Sequence, residues 1–154
     1  VEVIMACSDP RSSDLGTHIL LKGDNIPATS DKIDVWHKNR ITNGIPEGAI
    51  DLTPERALML EAGLDHLGAV DFDKGCYVGQ EVTARMKHRD LVKKRLFPVT
   101  FDGEVASGTD INCDGVTAGE LHSVQGNRGL ALLRLDLVEK GGLTANGVSV
   151  RVES

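Results

Sequence analysis

Thr109-Asp-Ile-Asn-Cys-Asp-Gly-Val-Thr-Ala-Gly-Glu-Leu-His-Ser-Val124 sets two β-leaning runs on either side of Asp114-Gly115. Asp-Gly tolerates the left-handed backbone that a tight hairpin turn requires, so the spacing predicts two antiparallel strands joined there. The pattern continues outward. Gly126 follows, then Gly129–Leu135, Gly141-Gly142, and Asn146-Gly147 ahead of Val148–Val152. On the upstream side Phe97, Val99 and Phe101 alternate with other residues in the period of a strand. Short runs punctuated by turns predict a small antiparallel β-barrel or sandwich of five or six strands over residues 91–154.

Upstream of Leu91 the character changes to α+β. Val78, Val82 and Met86 form one stripe of a helix over about 78–88. Thr53-Pro54-Glu55 has the cap and first-position proline of a helix start, followed by Leu58, Leu60, Leu64 and Leu67 before Gly68. Ser30 is placed to cap a helix over 31–42 with Ile33, Trp36 and Ile41 inward, ended by Gly44. Val1–Ala6 and Leu15–Leu21 read as strands around a Ser8–Asp14 turn cluster. Residues 1–90 thus resemble the end of an α+β region. The chain opens at Val1 inside a strand-like run, which predicts that an N-terminal portion precedes it.

Composition narrows the function classes. The 154 residues carry 17 Lys+Arg against 23 Asp+Glu, a formal charge of -6 that disfavours general affinity for nucleic-acid backbones. With one Trp, one Tyr and three Phe there is no broad stacking platform for single strands. No apolar run approaches the roughly 20 residues of a membrane helix. The exception to the acidic character is residues 85–95, with six Lys or Arg and one acid. That segment reads as a solvated face, or as a surface for an acidic partner or the glutamate tail of a folate. Cys7, Cys76 and Cys113 are too widely spaced for a disulfide framework or a structural zinc site. The five histidines have no HExxH spacing, and no metal ligands are assigned.

The chemically informative run is Asp71-Phe-Asp-Lys-Gly-Cys-Tyr-Val-Gly-Gln-Glu81. Cys76 lies between a glycine-bearing loop and a helix start, two residues from Lys74. A nearby cation and the positive end of a helix both favour a thiolate. Gly75 and Gly79 permit close approach of a ligand. The residues alone leave Cys76 open between a reactive thiolate and a buried, inert thiol.

Lys74-Gly-Cys-Tyr-Val-Gly-Gln-Glu81 resembles the KGCYxGQE signature of the YgfZ family, folate-binding relatives of the glycine-cleavage T-protein (aminomethyltransferase). The resemblance extends to Arg40-Ile-Thr-Asn-Gly-Ile-Pro46 and Glu61-Ala-Gly-Leu64, and downstream to Gly119, Ser123, Gly126 and Gly129-Leu-Ala131. It implies the C-terminal half of an aminomethyltransferase-like fold, with ferredoxin-like layers ending in a β-barrel. It implies tetrahydrofolate or a related folate in a channel, and a role in assembly or repair of iron–sulfur enzymes, including tRNA-modifying ones. The partners it implies are iron–sulfur proteins or assembly factors and the preceding N-terminal half. The implied location is the cytoplasm, or the mitochondrial matrix in a eukaryote. Carried over residue by residue, Cys76 is the reactive centre with Lys74 beside it. Gly75, Tyr77, Gly79, Gln80, Glu81, Arg40 and Glu61 are the cofactor-binding set. T-proteins usually have Asp where Cys76 stands, and Met59 replaces the Arg that precedes their pterin-binding Glu run. One-carbon transfer to tetrahydrofolate and a non-catalytic scaffold stay as alternatives. The resemblance leaves open whether the thiol engages a one-carbon unit, a persulfide or a cluster iron.

Overall fold

A computed structural model describes residues 2–23, 32–76 and 78–153 of the chain. Its centre is a closed six-stranded antiparallel barrel of β3 (Lys94–Phe101), β4 (Asp110–Cys113), β5 (Val116–Gln125), β6 (Arg128–Arg134), β7 (Leu143–Ala145) and β8 (Val148–Val152). The strands follow the order β3-β6-β5-β4-β7-β8, and β8 returns to pair with β3. Closure removes the exposed sheet edges that so small a domain would otherwise present. Asp114-Gly115 and Asn146-Gly147 make their turns with positive φ at both residues, as expected for two-residue hairpins. The barrel interior holds Val99, Phe101, Ile111, Cys113, Leu121, Leu133 and Val150. Cys113 is wholly buried there, with Sγ 3.1 Å from the Gly141 carbonyl. The expected strands, turns and α+β class are all present, and a short helix α4 (Leu135–Lys140) links β6 to β7.

Ahead of the barrel, β1 (Glu2–Ser8) and β2 (Thr17–Lys22) form an antiparallel hairpin joined through a 3-10 turn, Ser13–Leu15. Helix α1 (Ile33–Thr42) lies on the barrel wall. Its Ile41 packs with Leu96 of β3 and Leu130 of β6, and Leu132 borders the cluster. Trp36, expected in the core, is half-buried, edge-on to the His37 ring and beneath the Arg40 guanidinium. Ser30, offered above as a helix cap, lies outside the described residues.

The helix expected from Thr53 does not form. A single turn closes from Thr53, whose carbonyl accepts from the Arg56 and Ala57 amides, and successive turns follow to Gly68. Glu55 sits at φ 63°, and Gly63 and Gly68 are also left-handed, so a right-handed helix cannot run through. The short helix α2 (Gly48–Asp51) stands just upstream instead. The turn region is anchored by buried Leu60 and by the Leu96 amide donating to the Glu61 carbonyl at 2.8 Å. Helix α3 (Gln80–His88) begins two residues later than expected, behind a left-handed Gly79.

Candidate functional site

The site is built on an irregularity of the barrel. In the β5–β6 ladder Leu121 pairs with Ala131 and Val124 with Gly129, so β5 spends three steps where β6 spends two. The extra residue is a bulge at His122–Ser123, a device that re-aims side chains next to sites. It turns this part of β5 toward α2. The Ser123 amide donates to Asp51 Oδ1 at 2.9 Å. Asp51 Oδ2 accepts from Arg40 Nη1 at 2.7 Å and from the Glu47 amide at 2.9 Å. Arg40 also donates to the Ile45 carbonyl and, through Nη2, to Ser123 Oγ at 2.7 Å. Its Nε donates to His37 Nδ1, and Glu47 Oε2 stands 3.2 Å away without an aligned hydrogen bond. Both charges are withdrawn from water, with side-chain exposures of 2% for Arg40 and 0% for Asp51. Such a pair persists only when the remaining donors and acceptors are met, as they are here.

Beside this clamp lies a cavity of about 310 Å³ between the 51–62 segment and the barrel wall. Glu61, His122, Glu120, Lys94 and Arg56 bring polar groups to it, and Leu58, Leu96 and Leu132 give it apolar surface. His122 Nδ1 lies 3.0 Å from the Asp51 carbonyl. A carbonyl only accepts, so Nδ1 carries the proton and Nε2 is the acceptor of the neutral ring. The clamp therefore fixes the tautomer of a ring in the cavity wall.

The cysteine segment is separate. Cys76 is an exposed free thiol in this chain, and so is Cys7. Lys74 and Gly75 are exposed beside Cys76, and Gly79 precedes α3 at φ 86°. Gln80 opens the helix half-buried, and Glu81 in its first turn pairs with Arg85 at 2.6 Å. Tyr77 lies outside the described residues. Lys87 of α3 stacks over Phe72, and Thr83 Oγ1 reaches Met59 Sδ at 3.9 Å, two residues from Glu61. The structure gathers Lys74, Gly75 and Cys76 before one helix and puts Glu61 in the cavity wall. It does not bring Cys76 into the lining of that cavity, and it places Arg40 inside the protein with Asp51 and Ser123. Sequence reasoning missed Asp51 and gave His122 no role, and it took Lys94 only as part of the basic 85–95 segment. Asp51 stood out only as an acid between apolar Ile50 and Leu52, and nothing local announces a bulge.

Residues 93–154 match the family of the CAF17 C-terminal beta-barrel domain. The match takes in every strand of the closed barrel. The CAF17-type barrel and the segment before it together are similar to proteins named iron-sulfur cluster assembly factor IBA57, mitochondrial. The Mus musculus protein is 40% identical over 147 residues, covering 88% of this chain and 41% of its own length. The Homo sapiens protein is 41% identical over 135 residues, covering 81% and 38%. A homolog from Coccidioides immitis is 33% identical over 176 residues, covering 92% and 41%. The chain thus spans about two-fifths of the length of these curated relatives. Among the described residues no helix is long and apolar enough to cross a membrane.

Proposed function

We propose that this chain is the thiol-bearing and folate-facing part of a factor that supports assembly or repair of iron–sulfur proteins, in mitochondria as the relatives' names have it. The observation that carries the reading is 40% identity over 88% of the chain to a protein named an iron-sulfur cluster assembly factor. The cluster or its precursor is cargo in this reading, and iron–sulfur proteins or assembly factors are the partners. Cys76 supports it as an accessible sulfur three residues ahead of the Gly79 that precedes α3. Thiolate, not thiol, is the reactive form of such a sulfur.

A folate fits the donor set of the cavity. A carboxylate such as Glu61 can accept two parallel N–H bonds from a pterin edge, and Leu58, Leu96 and Leu132 suit the faces of a flat ring. His122 would hold its acceptor nitrogen toward a ligand N–H, fixed by Asp51. A bound tetrahydrofolate would supply a one-carbon carrier. The residues of the chain bind and orient it, and the Arg40–Asp51 clamp keeps the wall rigid.

The test is complementation of cells lacking the full-length protein. Cys76→Ala is expected to fold normally and to leave iron–sulfur enzyme activities low, with Cys76→Ser no better. Restoration to the wild-type level by Cys76→Ala overturns the role of the sulfur.

A further inference from the structure

Lys94 lines two cavities at once. One is the Glu61–His122 cavity, and the other, of about 580 Å³, is walled by Val92, Lys93, Lys94, Arg134, Leu135 and Asp136. The β3–β6 register makes Lys94 and Arg134 direct partners, so two cations stand side by side on one face. Like charges placed opposite each other across a ladder are unfavourable unless an anion lies between them. Arg134 is held by Asp136 at 2.7 Å. Lys93 and Lys94 have no ion pair among the described residues. The Leu135 amide donates to the Lys93 carbonyl at 3.0 Å and fixes the two sides of the groove together. Three cations and one carboxylate leave this groove positive on a chain whose formal charge is -6.

We propose that this second groove binds the γ-linked polyglutamate tail of a folate whose head sits in the first cavity, with Lys94 at the junction. The inference rests on the folate reading above and extends it from the head to the tail. A polyglutamate tail offers carboxylates in series to Lys93, Lys94 and Arg134. Its methylenes can lie along Val92 and Leu135. The groove therefore selects folates by tail length, and salt weakens that selection because these charges are near the surface.

The experiment is calorimetric titration of the full chain with tetrahydrofolate monoglutamate and pentaglutamate, at low and high salt. The pentaglutamate is expected to bind about tenfold more tightly at low salt, an advantage that shrinks at high salt. Lys93→Glu, at an exposed position outside the first cavity, is expected to bring the ratio of the two affinities close to one. Equal affinities for the two forms in the wild type, or an unchanged ratio in Lys93→Glu, overturn the tail assignment and leave the folate reading standing. Binding of neither form removes the folate reading and the tail assignment with it. An ordinary α-linked pentaglutamate peptide that binds as tightly as the pentaglutamyl folate makes the groove a docking site for an acidic protein segment, and overturns the assignment.

Discussion

Arg40 brings a guanidinium out of water and divides it among three parts of the chain: Ile45 in the following loop, Asp51 of α2 and Ser123 of the bulge. Removing one member of a buried pair leaves the other charge uncompensated, which typically costs about 3–5 kcal/mol. Arg40→Met is therefore expected to destabilise the chain by that order in urea unfolding, and Ser123→Ala by roughly 1 kcal/mol. A loss below 1 kcal/mol for Arg40→Met contradicts the clamp. Asp9 shows the same logic at the loop end of the β1–β2 hairpin, where its amide donates to the Gly16 carbonyl. Its carboxylate accepts from the Arg11 side chain and amide and lies 2.6 Å from His18 Nε2. The Arg11 hydrogen bond, ahead of a smaller opposing effect of burial, holds this carboxyl well below the usual aspartate range. A depressed folded value stabilises the hairpin fully above the unfolded pKa of about 3.9, and that stability is lost as pH falls toward the folded value. Hairpin amides followed by NMR are expected to lose protection below pH 4, and Asp9→Asn to remove that pH dependence.

Among the elements, the β5–β6 pair has the least room. A Cβ built on Gly119 would stand 1.9 Å from the Leu132 carbonyl oxygen, and one on Gly129 would stand 2.8 Å from the Ser123 carbonyl oxygen. Backbone cannot yield as a flexible side chain can, so both strands must shift to admit a methyl group. Gly119→Ala is expected to cost about 3 kcal/mol, and Gly115→Ala, with open space around it, only its left-handed strain of about 1 kcal/mol. Denaturation of the two variants side by side checks the order, and equal costs contradict the close approach. The consequence reaches the site, because Leu132 lines the Glu61 cavity and the bulge follows three residues after Gly119. Helix α3 is held differently. None of its residues is buried, and the Thr83–Met59 and Lys87–Phe72 contacts tie it to the turns.

For the molecule as a whole, packing is unequal. The barrel interior is closed off from the surface, with Ile111, Leu121 and Leu133 at 0% exposure. Every residue of β1 is exposed, and Val3, Ile4, Met5, Ile19 and Leu20 stand more than half open on the hairpin. Local stability follows buried apolar area and protected hydrogen bonds. Hydrogen exchange is expected to place the slowest amides in β3, β5 and β6, with β1, β2 and the 53–76 turns exchanging faster. Hairpin protection equal to that of the barrel contradicts this ranking. The positive groove and the Glu61 cavity both open beside the slow strands, so a ligand would meet a rigid wall on the β3–β6 side.

The barrel was legible from local signals, because Asp114-Gly115, Asn146-Gly147 and the alternation at Phe97, Val99 and Phe101 mark hairpins and strands. The sequence also marked Cys76 and the helix after it, since loop glycines and a short amphipathic stripe are read within ten residues. The Thr53 helix failed where a good start met the left-handed backbone at Glu55, a conformation that no residue type there announces. The exposure of Cys76, the withdrawal of Arg40 into a clamp with Asp51 and Ser123, and the place of Lys94 between two cavities came from long-range packing. The reason is physical: a bulge and a barrel closure set which side chains meet across 70 or 80 residues of chain, and those meetings leave no trace in local spacing.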